Sequence, residues 1–155
     1  MKHEKCIILM VLLVLVQVLV YAGDDSEKFN NSLKKWREVG IKHYNIKVEY
    51  RSFSPFSGIW EIEVKKGGVV SAKFNGITGE NYLNFSERLT MESLYRTAES
   101  SLKAGNNSPV IILVEYDSEN FFVKSVRRLH NPDYKGRIKK DAAYHIRVLE
   151  FHPLK

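Results

Sequence analysis

The chain has almost no means of holding itself together covalently. Its single cysteine, Cys6, sits in an apolar run at the N-terminus, so no internal disulfide is available even where disulfides could form. Beyond that run the histidines are His43, His130, His145 and His152, and no two stand at the i, i+4 spacing of a helical zinc site. With no cysteine to assist them, no metal and no cofactor is expected. No glycine-rich phosphate loop is present, and no serine is flanked by the glycines of a nucleophile elbow. These absences argue against a stapled fold, a helical zinc protease and a phosphate-loop enzyme. The core must do the work, and 155 residues are enough for one domain that buries a sizeable one.

Long hydrophobic runs are missing too, with one exception. Met1 to Ala22 has the layout of a secretory signal: Lys2 and Lys5, then the apolar stretch Cys6 to Val20, then Val20-Tyr21-Ala22 as a cleavage site before Gly23. The competing reading is an uncleaved anchor, because the run approaches the roughly 18 to 20 residues that span a bilayer. It is short, however, and acids rather than basic residues follow it. The expectation is a signal peptide over 1–22 and a single domain over 23–155. The protein would be exported, periplasmic or extracellular, with no stable membrane span after cleavage. Its formal charge is +6, of which Lys2, Glu4 and Lys5 supply +1, leaving +5 after cleavage. An exported cation of this size does not normally meet nucleic acid. Its expected partner is an unknown protein or an anionic component of the cell envelope.

The hydrophobic share is 44% and the charged share 27%, which suits a globular chain. The clearest pattern runs from Ile59 to Phe74. Trp60, Ile62 and Val64 alternate with Glu61, Glu63 and Lys65; after Gly67-Gly68, Val70, Ala72 and Phe74 alternate with Ser71 and Lys73. This predicts a hairpin turning on the glycine pair. Ahead of it, Asp24-Asp25-Ser26 opens a helix with Phe29, Leu33 and Trp36 on one stripe and Gly40 as its stop, followed by a strand from Tyr44 to Arg51. Behind it, Asn75 to Arg88 reads as a long connection. Thr90 then caps a helix over Met91 to Ala104, with Met91, Leu94, Tyr95, Ala98 and Leu102 on one face. Val110 to Val114 is apolar on both faces, the pattern of a central strand, and strands over Phe122 to Leu129 and Ala143 to Phe151 follow. The fold class is therefore α+β, an antiparallel sheet of about six strands with two helices packed on one face, in the order α-β-β-β-α-β-β-β.

Four segments recur in family-like order: Trp36 through Tyr44 with Tyr50 after it; Glu63-Val64-Lys65-Lys66-Gly67-Gly68-Val69-Val70-Ser71; Thr90-Met91-Glu92-Ser93-Leu94-Tyr95; and Val114-Glu115-Tyr116-Asp117. In these the chain resembles the domain-of-unknown-function family numbered 6174, small exported bacterial proteins. Where that family commonly has Cys-x-Cys-Pro, this chain has Ser52-Phe53-Ser54-Pro55, so any thiol or metal chemistry of the pair is absent here. Where it often has Gly-Tyr-Pro, this chain has Phe121-Phe122-Val123. The resemblance implies a small exported domain and transfers no catalytic residue.

Two features are candidates for function. Phe53, Phe56, Phe121 and Phe122 fall in predicted loops, where an aromatic either folds back on the core or meets a partner. Lys124, Arg127, Arg128, Lys135, Arg137, Lys139 and Lys140 form a basic segment, either a solvated face or a surface for docking on anionic material. The leading expectation is a non-enzymatic binding domain acting through these loops and this face. A hydrolase would have to draw on His130 and Asp117 across a strand turn, where Asp117 reads more simply as a strand-ending turn residue.

Overall fold

The computed structural model describes residues 26–104, 108–119, 122–136 and 143–154. The expected signal, Met1 to Ala22, and the acids Asp24 and Asp25 lie outside the described residues. A first helix, α1, covers residues 26–39. Strands β1 (Tyr44–Ser52), β2 (Gly58–Lys65), β3 (Gly68–Phe74) and β4 (Ile77–Thr78) follow. Next come a 3-10 turn (Glu80–Tyr82), a single helical turn α2 (Leu83–Ser86), a second 3-10 turn (Glu87–Leu89) and the long helix α3 (Met91–Ala104). Strands β5 (Val110–Tyr116), β6 (Val123–His130) and β7 (Tyr144–Pro153) complete the order.

All seven strands form one antiparallel sheet in the order β4-β3-β2-β1-β7-β6-β5. The α+β expectation with helices on one face holds, and β4 is the strand that the sequence reading passed over. It arises because Asn75 and Gly76 both take positive φ, 48° and 82°, and so form the tight turn that joins twisted antiparallel strands. The segment expected to be a long connection is therefore a second hairpin and a run of short helical turns.

The β2–β3 hairpin is present, but its turn lies one residue earlier than expected. Lys66 and Gly67 carry the positive φ values, 53° and 79°, and Gly68 already pairs with Lys65 in the ladder. Starting one residue early would put β3 out of phase. A bulge restores it: Val64 faces Val69, Glu63 faces Ser71, and the intervening Val70 is extra. Ala72 and Phe74 then fall opposite Ile62 and Trp60, as the alternation predicts. Val70 itself points outward and is 50% exposed, whereas Val69 packs against the core.

The core lies between the sheet and the helices. Trp60 is fully buried, with Phe74, Phe85, Tyr82 and Phe56 around it at centroid distances of 4.8, 5.0, 5.7 and 6.2 Å. Trp36 of α1 packs edge-on against Tyr44 and Phe151 and stacks on Tyr95. Tyr44 fastens α3 to β1: its hydroxyl accepts the Met91 N–H at 3.1 Å and donates to Glu92 Oε2 at 2.6 Å. Thr90 caps α3 as expected, accepting the Ser93 N–H on Oγ1. Leu102, placed on the buried face by its spacing, lies at the margin of that face and is exposed.

The largest departure is β5. Its apolar run predicts a central strand, yet it is an edge strand. Ile112 and Val114 pack against the core, while Ile111 and Leu113 stay exposed on the outer face beside Leu129.

Candidate ligand-binding cleft

The two sheet faces treat charge in opposite ways. On the outer face, neighbouring side chains neutralise one another. Lys47 lies 3.6 Å from Glu61 and 3.5 Å from Glu150, and Glu49 takes both Arg51, at 2.6 Å, and Arg147, at 2.9 Å. A shallow hollow of about 440 Å³ opens over this ribbon, but Lys47 and its two carboxylates line it, and its charges are largely spent on each other.

The helix-side face is different. A cleft of about 500 Å³ opens between α3 and strands β1, β5, β6 and β7. Three arginines line it from three separate elements: Arg88 from the turn before α3, Arg96 from α3 and Arg128 from β6. Among the described residues, no carboxylate lines the cleft. Of the two acids on α3, Glu92 takes a hydrogen bond from Tyr44 and Glu99 pairs with Lys103. Arg128 lies 5.8 Å from the centre of the Tyr144 ring and Arg88 lies 5.9 Å from that of Phe85, so each cation is held on an aromatic face. Neither has an ion-pair partner among the described residues. Arg96 donates to Ser93 Oγ at 3.2 Å.

Arg128 shows the consequence most directly. Its Nε is occluded and has no acceptor among the described residues. A buried donor left in that state costs about 1–3 kcal/mol, and more when charged. The walls around the arginines are apolar, with Leu89 and Ile146 buried and Tyr50, Phe85 and Ile112 half-buried. Burial raises the Tyr144 phenol above its ordinary pKa, against an opposing pull from Arg128, so at neutral pH it is a neutral hydroxyl. The cleft hydroxyls of Ser93, Thr97 and Ser100 all donate to backbone carbonyls. What the arrangement offers is guanidinium donors over an apolar floor.

The residues singled out from sequence are dispersed. Phe56 folds back onto Trp60 and Phe85, and Phe122 packs on Phe151. Phe53 stays 89% exposed, and Phe121 lies outside the described residues. The three that are described form no common patch. The serines that stand at the resembling family's cysteine positions touch, Ser52 Oγ donating to Ser54 Oγ at 2.8 Å, so the loop keeps its turn without thiols.

The basic segment is divided between the two faces. Arg127 is on the outer face, 3.6 Å from Glu115, while the next residue, Arg128, faces the cleft. Lys124 and Lys135 are exposed; Arg137, Lys139 and Lys140 lie outside the described residues. His130 pairs with Val110 at one end of the β5–β6 ladder, and the Asp117 N–H bonds Phe122 O at the other. Six residues of ladder, about 20 Å at strand rise, separate them, so they do not form a catalytic pair.

Sequence reasoning found Arg128 but in the wrong company, and it missed Arg88, Arg96 and Tyr144. One signal was available. Ser93, Arg96, Thr97 and Ser100 recur at i, i+3, i+4 and i+7, a polar stripe beside the buried Leu94 and Ala98.

Fold and site together define a single-sheet α+β domain with a cationic cleft beneath its principal helix. Residues 28–132 match the family of unknown function DUF6174, and the chain belongs to that family. The matched span ends before β7, the strand beside β1 at the centre of the sheet. No curated protein and no solved structure matches the chain.

Proposed function

We propose that this protein is an exported, non-enzymatic binding domain that captures an anionic ligand in the cleft between α3 and the sheet. The observation that carries the reading is the convergence of Arg88, Arg96 and Arg128 on one hollow that no carboxylate lines among the described residues. Like charges brought together repel one another unless an anion joins them. The lining supports binding rather than turnover, because its described residues include neither histidine nor carboxylate to act as a base, and its serine and threonine hydroxyls are engaged with backbone carbonyls. Export rests on the signal-like Met1 to Ala22.

The test is amide chemical-shift mapping of the purified protein titrated with 1-anilinonaphthalene-8-sulfonate, an organic monoanion. Shifts should concentrate at Arg88, α3, Arg128 and Tyr144, and binding should weaken with salt and in Arg128→Gln. Shifts confined to the Phe53 loop or the outer face, or none at all, would overturn the reading.

A further inference from the structure

Resting on that reading, we infer the class of ligand: an amphiphile with one carboxylate-type oxyanion head on an apolar body. The cleft sets two requirements at once. Its cations need a counter-charge, since neither Arg88 nor Arg128 has an ion-pair partner among the described residues. Its floor suits an apolar occupant, since the half-buried Tyr50, Phe85, Val110 and Ile112 line it.

A small hydrated anion meets only the first requirement. It would shed water against isoleucine, valine and aromatic rings and gain nothing from them. A neutral hydrocarbon meets only the second, leaving the guanidinium groups uncompensated. A volume of about 500 Å³ is also much larger than an inorganic anion needs and lies in the range of pockets that enclose drug-sized ligands. The aromatic seats of Arg88 and Arg128 fit the same ligand. A guanidinium resting on a ring keeps its in-plane N–H donors for a carboxylate fork, which a lysine in the same place would not match.

Competition against bound anilinonaphthalene sulfonate tests this. Decanoate, below its micelle concentration, should displace the probe at concentrations about tenfold or more below those needed for decanol, acetate or inorganic phosphate. Arg128→Gln should weaken decanoate about tenfold and leave decanol unchanged. The double variant Arg88→Gln/Arg96→Gln, exposed at both positions, is expected to fold and should act in the same direction.

If decanol competes as well as decanoate, the cleft reads only apolar surface and the inference fails. If acetate or phosphate does, the inference fails while the anion-binding reading stands. Probe that binds in the cleft but is displaced by none of the four also overturns the inference. Failure of the probe to bind there overturns both.

Discussion

Tyr44 shows how much one side chain can organise. It is fully buried, it holds the first N–H of α3, and burial together with the bond to Glu92 pushes its phenol far above the ordinary tyrosine value. Tyr44→Phe keeps the ring and removes both hydrogen bonds, leaving the Met91 N–H unpaired. The expected loss is about 1–3 kcal/mol, read as a lower urea midpoint at unchanged slope. The periodicity of β1 gave Tyr44 its inward direction, but the partner of its hydroxyl is set by how α3 crosses the sheet, which no local pattern encodes.

His145 carries a pH dependence. Burial first, then Arg127, Arg147 and Arg51, hold its pKa below the ordinary histidine value of 6.5. The unfolded chain therefore binds the proton more readily, so stability rises with pH through this window. Its contribution is complete above about pH 6.5 and is lost as pH falls through the depressed value. Thermal midpoints measured from pH 7.5 downward should fall less steeply for His145→Gln than for the parent. Glu49 acts in the same direction lower on the scale. The hydrogen bond from Arg51, and next the charge of Arg147, hold its carboxyl below the usual range, so its contribution also disappears on acidification.

Among the elements, the β2–β3 hairpin separates what alternation can and cannot reveal. The inward set of β2 and the far half of β3 were legible, because a period of two is a property of the backbone. The turn was not. Gly67-Gly68 and Lys66-Gly67 are both acceptable to a glycine-containing turn, and the choice is made by the bulge that brings Ala72 over Ile62. Side chains on either side of the bulge should respond differently. Val69→Thr places a hydroxyl against the core and should cost about 1–3 kcal/mol. Val70→Thr, on the outer face, should stay within about 0.5 kcal/mol of the parent. Equal losses in chemical denaturation would place the bulge elsewhere. For β5, composition misled: an unbroken apolar run reads as doubly covered, yet here it borders solvent on one face. The cleft was hidden for a related reason. Arg88 and Arg96 sit in successive elements far in sequence from Arg128, and only the antiparallel β6–β7 register sets Arg128 opposite Tyr144.

At the scale of the whole molecule, the sheet consists of two groups of strands, β1 to β4 and β5 to β7, that meet only where β1 lies beside β7. Fold class was readable from the order of elements, whereas this seam was not, since strand order within a sheet leaves no periodic trace. A proline at the seam should therefore be far more damaging than one at the rim. Ile146→Pro, between Tyr50 and Val126, is expected to cost about 3 kcal/mol or more and to abolish cooperative melting. Thr78→Pro, on the two-residue rim strand β4, should retain it.

The seam also has a consequence in time. Tyr50 and Ile146 are neighbours in space at opposite ends of the chain, so their pairing is among the most non-local the fold contains. Until the segment carrying β7 becomes available, β1 and β6 each lack a neighbour and the two groups of strands have nothing to join them. A polypeptide built this way closes late. The strand that locks the structure follows every other described strand in the chain, so closure waits for the last of them.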